Sequence, residues 1–130
     1  MESKLLCESV ATFALTFIGA GSIIMGGDLV TVALAHGIVL AIVVTATMNI
    51  SGGHVNPAVT ISMMAVKKMD TNTGTKYIFA QLAGGMLAGL ALFVIAESSG
   101  YAFPALDGLG TPAPAENVGN KNPHRIINFL

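Results

Sequence analysis

The residues best equipped to do chemistry in this chain are crowded into ten consecutive positions, Ser51-Gly52-Gly53-His54-Val55-Asn56-Pro57-Ala58-Val59-Thr60. Asn56 is a good helix N-cap, because its side-chain oxygen can accept from an early backbone N–H, and Pro57 suits the first helical position, where a missing N–H costs nothing. Residues 58–66 are apolar or small and hydroxylic, and they end at Lys67-Lys68, two cations suited to a helix C-terminus. A helix from Asn56 to about Lys68 would hold about 12 residues and measure about 18 Å, roughly half a bilayer. It is too short to span one.

A half-length apolar helix led by a glycine-containing loop predicts a re-entrant element, with the Asn56 end near the membrane midplane and the lysines at the cytoplasmic surface. Irregular backbone is tolerated at that depth only where it is buried in protein or faces a watery cavity. The loop therefore implies a pore. Carbonyls of Gly52, Gly53 and His54 would accept hydrogen bonds from passing water, the Asn56 amide would donate one, and the positive end of the helix would oppose cations and protons. An isolated Asn-Pro pair is ordinarily no more than a helix start in a soluble loop, so the surrounding elements must decide between the two readings.

Those elements are strongly apolar. Of 130 residues, 53% are hydrophobic and 10% charged, and the mean hydropathy is +0.73. A soluble domain carries about 25% charged residues to cover its surface. The apolar residues concentrate at 5–25, 29–48 and 77–96, stretches of about 20 residues, each long enough to cross the roughly 30 Å of a hydrocarbon core. The pattern predicts an all-α membrane protein with three transmembrane helices plus one re-entrant half-helix. Residues 1–98 form the membrane unit, and residues 99–130, rich in Gly, Pro and Asn, read as an extramembrane loop and divergent tail. The first stretch exceeds the 7–15 residues or so of a signal-peptide core, and no small-x-small cleavage pattern follows it.

Lys4, Lys67, Lys68 and Lys76 fall on one side of this arrangement, whereas Asp28, Glu97, Asp107 and Glu116 fall on the other. By the positive-inside bias the N-terminus and the second link are cytoplasmic. Lys121 and Arg125, which would then emerge outside, run mildly against it. Cys7 is the single cysteine, so no internal disulfide forms. A net charge of −1 with no basic patch gives no footprint for nucleic acid. The chain carries no nucleophile–base pair, metal-ligand cluster or phosphate loop, so neither an enzyme nor a cofactor or metal is expected.

Two ionisable residues interrupt the apolar stretches. Glu8, among apolar residues at membrane depth, must face a partner or a cavity unless it lies in the headgroups one turn from Lys4. His36, after Ala33-Leu34-Ala35, would by itself be read as a packing residue.

The ten-residue string resembles, almost letter for letter, the first signature of the major intrinsic protein (aquaporin and glycerol facilitator) family. Glu8 with Thr12 resembles the family's Glu-x-x-x-Thr pattern, and Gln81 resembles the Gln near the start of its third helix. The likeness runs from about Lys4 to about Ala115 and fades near Val118. Members have six spans and two half-helices in two inverted repeats, usually assembled as tetramers with one pore per subunit. This sequence supplies the first repeat; spans four to six, a second Asn-Pro-Ala and the filter arginine after it are not seen. Asn122-Pro123-His124-Arg125 superficially matches that second signature but lacks the preceding spans.

The resemblance implies roles for single residues. Asn56, Pro57 and Ala58 would form the pore motif; Glu8 would brace the loop near His54. His36 would contribute to the selectivity filter, as in vacuolar plant members that pass water and often ammonia. Gly85 and Gly89, shifted by one from Gly84 and Ala88, form small-xxx-small steps for close helix packing. The expected function is a multi-pass cell-membrane channel, or half of one, passing water and small neutral solutes such as ammonia or glycerol. Its expected partners are membrane lipid, copies of itself as in the family tetramer, or full-length channel subunits. The alternative is a truncated, non-conducting protein that only associates with full-length channels.

Overall fold

The computed structural model describes residues 1–98, which form four helices and, among the described residues, no strand. They are α1 (Glu2–Ile24), α2 (Leu29–Thr47), α3 (Pro57–Ala65) and α4 (Thr71–Ser98). With 23, 19 and 28 residues, α1, α2 and α4 are each long and apolar enough to cross a membrane. The nine residues of α3 reach only about 14 Å. The architecture is three transmembrane helices plus one half-helix, and the tail motif at Asn122 lies outside the described residues.

Helix ends are set by local chemistry. Past α1, Gly26 takes φ +76° and donates to Ile23 O, while Gly27 donates to Ser22 O. That double bond pattern closes the last turn around a left-handed residue, a conformation glycine adopts without strain. Asp28 then caps α2 by accepting from Thr31 N at 2.8 Å, and Asp70 caps α4 by accepting from Thr73 N at 2.9 Å. Contacts with Thr31 and Thr73, side chain first and backbone second, hold both exposed carboxyls below the usual carboxylate range.

α3 is shorter than the sequence suggests. It stops at Ala65 because Lys67 turns left-handed, φ +58°, with Lys67 N bonded to Met64 O and Lys68 N to Met63 O. The lysines therefore lie beyond the final turn rather than in it. α4, in contrast, starts well before residue 77, since the Asp70 cap lets the polar stretch from Thr71 to Lys76 continue the span at its surface end.

α1 lies between α2 and α4, and α3 packs on α4. At Gly84 the α1 and α4 backbones nearly touch, so that a Cβ there would run into the Ser9 carbonyl oxygen. Ala88, one turn on, is fully buried. Gly85 and Gly89 point elsewhere: a Cβ at Gly85 would meet nothing closer than Thr16 Oγ1 at 3.8 Å, and one at Gly89 would meet open space. The Gly84–Ala88 step makes the helix contact. Ala11, Val39, Val43 and Val55 form one apolar cluster between α1, α2 and the loop, and Ile24, Leu92 and Ala96 a second between α1 and α4.

Candidate functional site

The loop between α2 and α3 has two faces. It leaves α2 through Ser51 N and Gly52 N, which bond back to Thr47 O and Met48 O. Gly52, Gly53 and Val55 then adopt φ of +96°, +62° and +56°. Glycine takes this region freely; a β-branched valine does so only where its surroundings insist.

Glu8 supplies that insistence. Its carboxylate is fully buried and receives four donors. Oε1 accepts from Ser51 Oγ at 2.6 Å and His54 N at 3.0 Å; Oε2 accepts from Val55 N at 2.7 Å and Gln81 Nε2 at 2.8 Å. Each oxygen thus receives two hydrogen bonds, which fills a carboxylate's acceptor capacity. On the other side of Val55, its carbonyl lies 3.1 Å from Thr12 Oγ1, whose single proton it shares with the Glu8 carbonyl at 2.8 Å. The strained peptide is therefore held at both ends from α1.

The remaining polar groups close the network. Tyr77 O–H donates to Ser51 O at 2.9 Å, Gln81 Nε2 donates to Thr60 Oγ1 at 3.0 Å, and His54 Nδ1 lies 3.0 Å from the same Thr60 oxygen. The His54 ring also sits edge-on to Tyr77, with 5.5 Å between centroids. Among the described residues, no buried side-chain nitrogen or oxygen lacks a partner. α1, the loop, α3 and α4 are thereby tied through one set of buried polar contacts in a surrounding that is otherwise apolar.

Three loop carbonyls stay outside this network. Among the described residues the carbonyls of Gly52, Gly53 and His54 accept no hydrogen bond, whereas that of Val55 is taken by Thr12. Asn56 is exposed; its Oδ1 accepts from Ala58 N at 2.8 Å and caps α3, with Pro57 at the first turn. With the oxygen occupied, the side-chain NH2 is the group left to face outward.

His36 stands apart from this network. Its Nδ1 lies 2.8 Å from Val32 O, and its ring packs against Gly19, 11 residues along α1 from Glu8, or about 16 Å. It borders an open groove of about 530 Å³ between α1 and α2, lined mainly by apolar groups such as Leu15, Ala20, Ile23 and Leu40. The structure therefore gathers Glu8, Gly52, Gly53, His54, Asn56, Pro57 and Ala58 in one place, and His36 in another.

Sequence reasoning gave no individual role to Ser51, Val55 or Thr60, although all three lie in the ten-residue string, and it did not place Tyr77 in the site. Thr60 and Tyr77 left a signal, a polar side chain beside an apolar run. Val55 left none, because its part is played by its backbone. His54 joins Glu8 through its N–H, while its ring serves Thr60 and Tyr77.

Comparison with known proteins bears on the family. The family model described as Major intrinsic protein matches residues 1–126, so the match extends beyond Val118, further than the signature residues alone suggest. Similar curated proteins include Aquaporin AqpM of Methanothermobacter thermautotrophicus, 33% identical over 92% of this chain and 56% of its own length. Aquaporin TIP4-4 of Zea mays is 40% identical over 78% of this chain and 45% of its own. Glycerol uptake facilitator protein-like 6 of Lactiplantibacillus plantarum is 37% identical over 68% and 42%. The chain spans about half the length of the curated relatives it matches. With its family match, its three membrane-spanning helices and its capped half-helix, the chain belongs to the major intrinsic proteins, a family of integral membrane channels.

Proposed function

We propose that this chain forms the wall of a channel through which water and small neutral solutes, of the ammonia and glycerol class, cross a membrane passively. The observation that carries the reading is the loop between α2 and α3: its N–H groups are saturated by Glu8, and three of its carbonyls, without a donor among the described residues, lead to the capped end of α3. A molecule leaving bulk water must recover its hydrogen bonds within the constriction, or pay for each one lost. Gly52, Gly53 and His54 carbonyls accept in turn and the Asn56 amide donates, so a water passes from partner to partner without being bound tightly.

Cations find the reverse. The N-terminus of α3, extended through Pro57 and Ala58, presents about half a positive charge, and among the described residues the buried carboxylate next to it, that of Glu8, is already occupied by four donors. His36 lines the passage at a second level, in the apolar groove, where a single polar ring limits width and selects for solutes that hydrogen-bond. The names of the relatives, aquaporins and a glycerol uptake facilitator, support water and glycerol as solutes.

Stopped-flow light scattering on vesicles holding the purified protein tests the reading. Osmotic shrinkage should be faster than in bare lipid, and Asn56→Ala, which removes both the cap and the outward amide, should return it close to the lipid rate. Shrinkage no faster than bare lipid for the unaltered protein would refute conduction and favour the non-conducting role, association with full-length channel subunits.

A further inference from the structure

The seat of the His36 ring is made by a side chain that is missing. Gly19 is buried on α1, and a Cβ built on it would lie 2.5 Å from His36 Nε2, 2.8 Å from Cδ2 and 3.0 Å from Cε1. All three of the nearest atoms belong to that one ring. The contrast with Gly84 is direct, since there the nearest atoms are backbone atoms of Ser9 and Phe13. Gly84 lets two helices approach; Gly19 lets a side chain lie down.

The opposite edge of the ring is fixed by its own helix. Nδ1 sits 2.8 Å from Val32 O, and a carbonyl only accepts, so Nδ1 carries the proton of that bond. In the neutral ring Nε2 is then left as an acceptor. The ring is clamped between Val32 and Gly19, with the groove bordered by Leu15, Thr16 and Leu40 on its free side.

We propose that Gly19 is a specificity-determining positioning residue: by having no side chain it seats His36 against α1, and so sets the width of the passage beside His36. The proposal rests on the reading of His36 as lining the passage. A methyl group at position 19 strikes ring atoms rather than backbone, so the ring is what gives way. It swings toward the groove, gives up its bond to Val32, and narrows the space that a solute larger than water needs.

The test uses the full chain carrying ¹⁵N-labelled histidine, with Gly19→Ala, His36→Ala and the double variant. His36 in the unaltered protein should show the Nδ1–H tautomer; Gly19→Ala should shift its ring signals while those of His54 stay in place. Gly19→Ala should also lower the unfolding temperature, and adding His36→Ala should recover most of that loss. In vesicles, Gly19→Ala should cut glycerol or ammonia flux severalfold and water flux less. Unmoved His36 signals, or a double variant as unstable as Gly19→Ala alone, would overturn the proposal, the second by making Gly19 a helix-packing residue. If His36→Ala leaves the ratio of solute to water flux unchanged, the lining reading fails and the control of selectivity fails with it; the spectra and the stability cycle still decide the seat separately.

Discussion

Changing one atom of Glu8 tests how the loop is held. Glu8→Gln keeps the size and shape of the side chain but replaces an acceptor oxygen with an NH2 group. Whichever way the amide turns, that NH2 meets a backbone N–H, of His54 on one side or Val55 on the other. Two donors then face each other in a buried place, at roughly 1–3 kcal/mol for the group left unpaired. Glu8→Gln should therefore lower the unfolding temperature in detergent and reduce water permeability together. Unchanged values of both would show that the loop keeps its shape without the carboxylate. Glu8 itself was legible in the sequence as an ionisable residue in an apolar run, but its partners lie 43 to 73 residues away in the chain. Half of them are backbone N–H groups, which every residue type but proline possesses, so no choice of amino acid announces them. Val55 is the clearest case: a residue type suited to strands sits left-handed because Glu8 and Thr12 hold its peptide.

Among the elements, the α1–α4 contact governs the same network from a distance. Ser9, whose carbonyl lies over Gly84, directly follows Glu8 in the chain. A methyl group at position 84 meets backbone, which cannot rotate aside, so α1 must move off α4 and carry Glu8 away from Gln81. Gly84→Ala should cost about 1–3 kcal/mol or more, the range for overpacking a close contact. Gly89→Ala, built into open space, should be near neutral or slightly stabilising, because it removes a flexible glycine from a helix interior. Equal losses for the two in a chemical or thermal unfolding series would mean that Gly84 is not where the helices meet. The apolar runs made the three spans legible. They could not distinguish the Gly84–Ala88 step from the Gly85–Gly89 step, since one residue is about 100° of helix rotation and only the packed phase decides. Ends were harder too: hydropathy stops at Lys76, whereas the Asp70 cap starts α4 at Thr71, and the left-handed Lys67 ends α3 early.

At the scale of the whole molecule, exposed apolar residues occur on two kinds of surface. Phe79, Met86 and Leu90 of α4 are more than half exposed, on a span whose buried residues, Tyr77, Gln81, Gly84 and Ala88, form the opposite stripe. Such a face suits lipid tails. Val59 of α3 is also exposed, but it lies about one turn from Asn56, close in the chain to the carbonyls of the loop, where the surroundings are polar. If that side faces an aqueous passage, exposure there means contact with water rather than lipid. Single cysteines tell the two apart once Cys7, half-buried on α1, has been changed to serine. In vesicles, Val59→Cys should react with a charged, membrane-impermeant maleimide, and Met86→Cys should react only with a lipid-soluble one. Glycerol at high concentration should slow the first reaction and leave the second alone, because only the first competes with a solute for the same space. A Val59→Cys that resists the charged reagent while Met86→Cys accepts it would reverse the assignment of the two faces, and with it the direction in which the Gly52, Gly53 and His54 carbonyls meet their solute.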